Sequence, residues 1–355
     1  MFKDFSPSCR FDSSRRTVLT AALGAILALA SSFSVAATVG PLKVVASFSI
    51  LGDMVNVIGG EQVDLTTIVG ANGDSHSFEP TPKDSKALAQ AQLLIVNGLG
   101  FEAWLPRLVK SSGFKGVEVV ASNGIKPRML DGTQEDEHDQ ASKAHDHADD
   151  KKDHAGHSDD DSKKTQSPAG DEQHHHGNVD PHAWQSLENG VIYATNIANA
   201  LSKADPQHAK DYQQRAKLYI AAMKKLDAEI KQTLNEIPQA RRKVVTSHDA
   251  FGYFGQAYGV EFISAVGFSS DAEPSAKEMA AIIDQVKKEH VPAVFVERIT
   301  SAKLIKQIAA ETGAKVGGTL YSDALGKPDE PAGTYLGMFT WNAGRLIYAL
   351  QENPK

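Results

Sequence analysis

The sequence has almost no cysteine. Of its 355 residues only Cys9 carries a thiol, and Cys9 lies in a segment that we expect to be removed. The mature chain can therefore form no disulfide, and its domains must be stabilised by burial of apolar surface. A metal site built from thiolates is excluded for the same reason.

The folded part of the chain also lacks a net charge. Residues 1–37 carry a net +2 and residues 131–178 a net −9, so the total of −7 leaves the other 270 residues neutral. A protein that binds nucleic acid usually presents a broad basic surface. We therefore expect no nucleic-acid partner.

Apolar residues are missing from one long internal segment. Asp131 to Asn178 contains no Val, Ile, Leu, Met or aromatic residue, but 14 acidic residues and five lysines. Such a segment cannot form a core, and we predict a disordered acidic insert. It holds eight of the 13 histidines, which could bind divalent ions weakly: His138, His145, His147, His154, His157, His174, His175 and His176. The alternative is a solvated insert without a binding role.

No apolar run is long enough for a transmembrane helix. Val18 to Ala30 is the main candidate, and it falls short of the roughly 20 residues that a membrane span needs. It follows Arg15-Arg16 and precedes the small residues Ser34 to Ala37, which predicts a cleaved signal peptide over residues 1–37. The arginine pair is compatible with the twin-arginine route. Because no Cys follows the apolar run, we expect a soluble protein without a lipid anchor; an uncleaved anchor is the alternative.

Short β-branched runs alternate with helical patterns through the rest of the chain, which indicates parallel sheets. We predict an α/β fold with two lobes, each a parallel sheet flanked by helices: an N-terminal lobe over residues 38–204 and a C-terminal lobe over 239–355. Between them, residues 205–238 should form one long rigid helix, with Asp205 as N-cap and Pro206 at its first position. Two shorter helices are predicted at Phe101 to Ser111 and Asp249 to Tyr258.

Four polar residues occupy loop positions at which open parallel sheets bind ligands. They are His76, His182, His248 and Asp323, two from each lobe. Three imidazoles and one carboxylate in the cleft between the lobes would suit zinc. By spacing alone, a single His in a loop is more often a surface or capping residue than a ligand, Asp323 could be an N-cap in a turn, and no His-Glu-x-x-His motif is present. Glu297, at a strand end, could hydrogen-bond a ligand imidazole or pair with a nearby lysine.

Four segments carry a resemblance to a known family. They are His76-Ser77-Phe78-Glu79-Pro80, Asn97-Gly98-Leu99-Gly100-Phe101-Glu102-Ala103-Trp104, Asp180-Pro181-His182-Ala183-Trp184 and Ser247-His248-Asp249-Ala250-Phe251-Gly252-Tyr253-Phe254. In order and spacing the mature chain resembles the metal-specific solute-binding proteins of bacterial ABC importers, of the zinc ZnuA type (cluster A-I). The resemblance implies two lobes bridged by a long helix, and His76, His182 and His248 as ligands with Asp323 at the fourth position. Water or another loop carboxylate remains open as the fourth ligand.

The resemblance also implies a function. We expect a monomeric periplasmic protein, not an enzyme, that captures zinc as cargo and delivers it to an ABC permease driven by a cytoplasmic ATPase. A periplasmic metallochaperone is an additional candidate partner. The alternatives are a zinc chaperone or buffer without a transporter and, less favoured, a zinc hydrolase, which would need a general base beside a metal-bound water.

Overall fold

The computed structural model describes residues 40–130, 179–265 and 274–351. The predicted signal peptide and acidic insert lie outside these ranges. Within them, eight strands are present: β1 Leu42–Phe48, β2 Val63–Val69, β3 Leu93–Val96, β4 Val117–Val120, β5 Lys243–Thr246, β6 Glu261–Ser264, β7 Ala293–Glu297 and β8 Lys315–Leu320. The α-helices of the same ranges are α1 Ser49–Gly59, α2 Pro82–Gln90, α3 Leu105–Ser112, α4 Leu187–Ala204, α5 Ala209–Asn235, α6 Gly252–Tyr258, α7 Ala276–Lys288, α8 Ala302–Thr312 and α9 Tyr335–Gln351.

The strands form two parallel sheets with the same topology. The first has the order β2-β1-β3-β4, and the second has the order β6-β5-β7-β8. In each sheet the chain first adds a strand on one side of the initial strand and then crosses to the other side. Such a switch leaves a crevice at the carboxyl ends of the strands, where ligands bind. The predicted fold class, with a sheet in each lobe, is confirmed.

Local sequence explains where several helices begin. Thr81 and Asp84 form a reciprocal capping box at the start of α2, with Pro82 as the first helical residue. Ser275 and Glu278 do the same for α7. In both cases two backbone N–H groups that have no partner inside the helix are satisfied by side chains.

The long helix between the sheets is slightly shorter than predicted. A 3₁₀ turn, Pro206–His208, precedes α5, which spans 27 residues or about 40 Å. Asp205 is the N-cap residue and Pro206 the first residue of this turn, as predicted, and the Asp205 carboxylate accepts hydrogen bonds from the His208 ring and from the Tyr212 hydroxyl.

Helix α5 is bonded to both lobes. Arg215 donates to the carbonyls of Ile58 (2.6 Å) and Gly59 (2.7 Å), at the negative end of the α1 dipole. Near its other end, Asp227 accepts a hydrogen bond from the Tyr258 hydroxyl at the end of α6 (3.0 Å). The helix therefore limits how far the two sheets can separate.

Two predicted helix starts are wrong. The helix placed at Phe101 begins at Leu105, because residues 98–100 have positive φ and the Glu102 carboxylate accepts from the backbone N–H groups of Asn97 and Gly98. The helix placed at Asp249 begins at Gly252, after a tight turn that follows His248. In both places a loop next to the cleft replaces the first helical turn.

One hydrophobic core extends through both sheets. It includes Val44 of β1, Phe254 of α6 and Phe339 of α9, and also Val244 of β5. The neighbouring Val245 points to the opposite face and belongs to a smaller cluster under α7 and α8. The described residues from Pro41 onward form one compact unit, so the domain boundaries at 204/205 and 238/239 stay a prediction.

Candidate metal centre

The four predicted ligands come together between the two sheets. His76 lies in the loop after β2, His248 is the second residue after β5, and Asp323 is the third residue after β8. His182 precedes a 3₁₀ turn, Ala183–Gln185, that leads into α4. One ligand atom from each of the four residues lies within 4.8 Å of the others. Residues separated by almost 250 positions in sequence thus form one cluster.

Asp323 is the centre of this cluster. Its Oδ2 lies 3.0 Å from His248 Nε2 and 3.4 Å from His76 Nε2, and its Oδ1 lies 3.5 Å from His182 Nε2. The side chains of Asp323, His182 and His248 are completely buried, whereas that of His76 is 14% exposed. His76 is therefore the member of the cluster that faces solvent.

Asp180 orients His182. Its Oδ1 lies 2.8 Å from His182 Nδ1 and also accepts the backbone N–H of His182 at 2.9 Å. Because the carboxylate holds a proton on Nδ1, the lone pair of Nε2 is free to point at the cluster. Sequence reasoning did not assign this role to Asp180. The signal was its position two residues before the histidine, where an Asp side chain commonly bonds the backbone two residues on.

Glu297 orients His248. Its Oε1 accepts the His248 backbone N–H at 2.8 Å, and its Oε2 lies 2.7 Å from His248 Nδ1. Glu297 is completely buried at the end of β7. Of the two roles left open by the sequence, contact with a ligand imidazole is the one observed.

The charges of the cluster shift two pKa values. Burial by itself lowers the pKa of His248, but the nearby carboxylates of Glu297 and Asp323 outweigh burial and raise that pKa well above its usual value. For Asp323, burial by itself raises the pKa, but His248 and His182 outweigh it and hold the pKa well below the usual range. The cluster thus favours an ionised carboxylate beside a protonated imidazole when no cation is bound.

The donor set fits a divalent cation. Among the described residues, three buried atoms that face the cluster have no hydrogen-bond partner: Nε2 of His76, Nε2 of His182 and Oδ1 of Asp323. Native proteins leave few buried polar atoms unpaired. A cation held by three imidazole nitrogens and one carboxylate would satisfy all of them and would have four protein ligands.

The aromatic residues of the predicted motifs pack around the cluster. Phe101 lies edge-on to His76, with ring centroids 5.1 Å apart, and also contacts Trp184. Trp184 Nε1 and Gln185 Nε2 both donate to the carbonyl of Ser322, at 2.9 and 2.7 Å. Two side chains that closely follow His182 are therefore bonded to the backbone carbonyl that precedes Asp323. Trp184 is completely buried in this packing.

Comparison with known proteins gives this arrangement a family. A family profile described as "ZnuA: Zinc-uptake complex component A periplasmic" matches residues 44–349. The chain belongs to the ZnuA family. The match spans both sheets, the long helix and all four residues of the cluster.

Individual relatives of the ZnuA family cover nearly the whole chain. The manganese ABC transporter substrate-binding lipoprotein PsaA of Streptococcus pneumoniae is 29% identical over 343 residues, which is 94% of this chain and 97% of PsaA. The iron ABC transporter substrate-binding lipoprotein MtsA of Streptococcus pyogenes serotype M1 is 29% identical over 333 residues, 92% of this chain and 94% of MtsA. The solved structure of the periplasmic zinc binding protein TroA from Treponema pallidum has 26% identity and a TM-score of 0.71, and covers 88% of this chain and 100% of TroA.

Membership of the ZnuA family defines the general role of the chain. It is the metal-binding, substrate-binding component of an ABC importer, it acts outside the cytoplasm, and it is not an enzyme. No helix among residues 40–130, 179–265 and 274–351 is both long and apolar enough to cross a membrane. The eight histidines of the insert and the signal segment with Cys9 lie outside the described residues, so their predicted roles stay predictions.

Proposed function

We propose that the chain captures zinc in the periplasm and delivers it to an ABC permease that a cytoplasmic ATPase drives. The observation that carries this proposal is the donor set: three imidazole nitrogens and one carboxylate, all within 4.8 Å. His76, His182, His248 and Asp323 are the proposed ligands. The insert would collect zinc weakly, as its composition suggests, and would not form the selective site.

The choice of zinc rests on donor chemistry. The two streptococcal relatives are named for manganese and iron and TroA for zinc, all at similar identity, so the likeness alone does not select an ion. Imidazole nitrogen suits zinc, whereas manganese suits carboxylate and carbonyl oxygen. A cluster with three nitrogens and one carboxylate oxygen therefore favours zinc. A fourth protein ligand also favours holding the ion over activating a water, as a hydrolase would require.

Uptake measurements in the native host test this proposal. We expect deletion of the gene to reduce uptake of radioactive zinc at limiting zinc, with little effect on manganese uptake, and the wild-type gene to restore it. Growth under a zinc chelator should follow the same pattern. Loss of manganese uptake with normal zinc uptake would contradict the choice of ion. Normal uptake of both ions, with altered tolerance to excess zinc, would instead support a buffer that serves no transporter.

Zinc affinity should fall as the pH falls. The raised pKa of His248 favours the protonated imidazole when no cation is bound, and zinc must displace that proton. Below this pKa the apparent affinity should drop about tenfold per pH unit for each displaced proton. Zinc titrations between about pH 6 and pH 8, by calorimetry in two buffers of different ionisation heat, measure both the affinity and the protons released. An affinity that is constant over this range, with no proton release, would contradict the role of His248.

A further inference from the structure

Arg128 lies where the segment that precedes the acidic insert contacts the segment that follows it. The N–H of Asp180 donates to the Arg128 carbonyl at 2.9 Å, and Met129 and Val179 form an antiparallel bridge. From the C-terminal half, the Tyr253 hydroxyl accepts the Arg128 N–H at 2.8 Å and donates to the Asp180 carbonyl at 3.2 Å. Several hydrogen bonds to two parts of the chain thus determine the backbone position of Arg128.

The side chain of Arg128 reaches the carboxylate that orients His182. Its Nη1 donates to Asp180 Oδ2 at 2.8 Å, while Oδ1 of the same carboxylate contacts the His182 ring. The Asp180 side chain is completely buried and that of Arg128 is 23% exposed. A buried carboxylate is costly without a cationic partner. Among the described residues, Arg128 is the arginine or lysine that forms an ion pair with it.

The guanidinium also lies directly against Gly252, the first residue of α6. A β-carbon at Gly252 would collide with the guanidinium of Arg128, so only glycine leaves room for it in this position. The φ angle of Gly252 is not in the left-handed region, so alanine is compatible with the backbone. The conformation of Arg128 therefore depends on a small residue from the opposite half of the molecule.

We propose that Arg128 is a positioning residue for metal binding. By pairing with Oδ2 it holds the Asp180 carboxylate in the orientation in which Oδ1 keeps the proton on His182 Nδ1 and aims Nε2 at the cation. A carboxylate that hydrogen-bonds a metal-binding histidine, together with the residue that holds the carboxylate, tunes the affinity of a site for its metal. This inference rests on the proposed role of His182 as a ligand.

Substitution of Arg128 provides the first test. We expect Arg128→Met to weaken zinc binding by about 10- to 100-fold, the usual effect of changing an outer partner. Arg128→Lys, which keeps the charge, should recover part of the affinity. Arg345→Met is the matched control, because Arg345 stacks on Trp341 in α9. Zinc affinity is measured by competition with a chromophoric chelator, and thermal unfolding of the metal-free proteins reports any structural effect. Wild-type affinity in Arg128→Met would overturn the proposal.

Substitution of the glycine perturbs Arg128 without removing a polar atom. Gly252→Ala should displace the guanidinium and reproduce part of the loss in zinc affinity. Gly344→Ala is its control, since a β-carbon at Gly344 meets nothing within 4 Å. The visible spectrum of bound cobalt(II) should change in Gly252→Ala and in Arg128→Met, because the geometry around the ion depends on His182. Unchanged affinity and spectrum in Gly252→Ala would show that the position of the guanidinium is unimportant.

A double-mutant cycle separates positioning from a purely structural role. If Arg128 acts through Asp180, the combined variant Arg128→Met/Asp180→Asn should lose less affinity than the sum of the two single losses in free energy. Fully additive losses would overturn the proposal.

The variant His182→Ala distinguishes a failure of the proposed ligand set from a failure of the role proposed for Arg128. If it leaves zinc binding intact, the proposed ligand set fails; if it removes binding while Arg128→Met does not, only the role of Arg128 fails.

Discussion

Replacing His248 by alanine should remove high-affinity zinc binding. The substitution takes away one donor nitrogen and leaves Glu297, which is completely buried, without its imidazole partner. The loss should be at least about 100-fold in affinity, since changing only an outer partner costs roughly 10- to 100-fold. Competition titration of the purified, metal-stripped mature protein measures it.

A second histidine provides the control for this experiment. His290 is exposed and lies far along the chain from the cluster, just after α7. His290→Ala removes the same chemical group and should leave zinc affinity unchanged. Because the buried Glu297 loses its imidazole partner and keeps only the backbone N–H of residue 248, the variant should also be less stable without metal, and thermal unfolding should be recorded for both variants. A folded His248→Ala protein that binds zinc like the wild type would refute the proposed site.

Replacing His248 by glutamate should shift the preference toward manganese. The change exchanges a nitrogen donor for a charged oxygen, and hard oxygen donors favour manganese relative to zinc. Zinc binds more tightly than manganese at most sites, so the informative quantity is the ratio of the two affinities in variant and wild type. We expect the zinc-to-manganese ratio to fall by at least about tenfold.

The new carboxylate would lie beside Glu297, and repulsion between the two carboxylates would change the affinity for every ion and obscure the effect on selectivity. The double variant His248→Glu/Glu297→Gln removes the charge of Glu297 while keeping its size. The ratio should fall in this double variant as well, whereas Glu297→Gln alone keeps the three nitrogen donors and should retain the preference for zinc. An unchanged or increased ratio in both glutamate variants would mean that the donor at position 248 does not select the ion.

The positions of most elements follow from local patterns. The strands Val63–Val69, Ala293–Glu297 and Lys315–Leu320 coincide with short β-branched or apolar runs that end at turns, the pattern that predicts a strand. The failures lie next to the cleft. The helical pattern from Phe101 is real, but the buried Glu102 carboxylate accepts from the backbone of the preceding loop and delays the helix to Leu105. No local periodicity reveals a bond that depends on a neighbouring loop.

In the candidate site, too, some residues can be recognised from the sequence and others only from their tertiary contacts. His76, His182, His248 and Asp323 could be named from their places at strand ends and in recognisable motifs, since the carboxyl ends of parallel strands are where ligands bind. Arg128 could not, and for Asp180 the sequence offers only its position two residues before His182. Their roles depend on which atoms of distant segments face them, as when the Tyr253 hydroxyl joins both to α6.

Residue order was therefore sufficient to specify the alternating α/β pattern, the neutral folded part, the acidic His-rich insert and the identity of the four candidate ligands, because each depends on composition or on neighbours along the chain. Only the tertiary structure decided that the three histidines surround Asp323 and that, of these four residues, His76 alone reaches solvent. It also decided that Asp180 and Glu297 orient two of the imidazoles. The reason is physical. Metal affinity depends on distances of a few ångströms between groups that are far apart in sequence, and only packing of the two sheets against α5 and the shared core sets those distances.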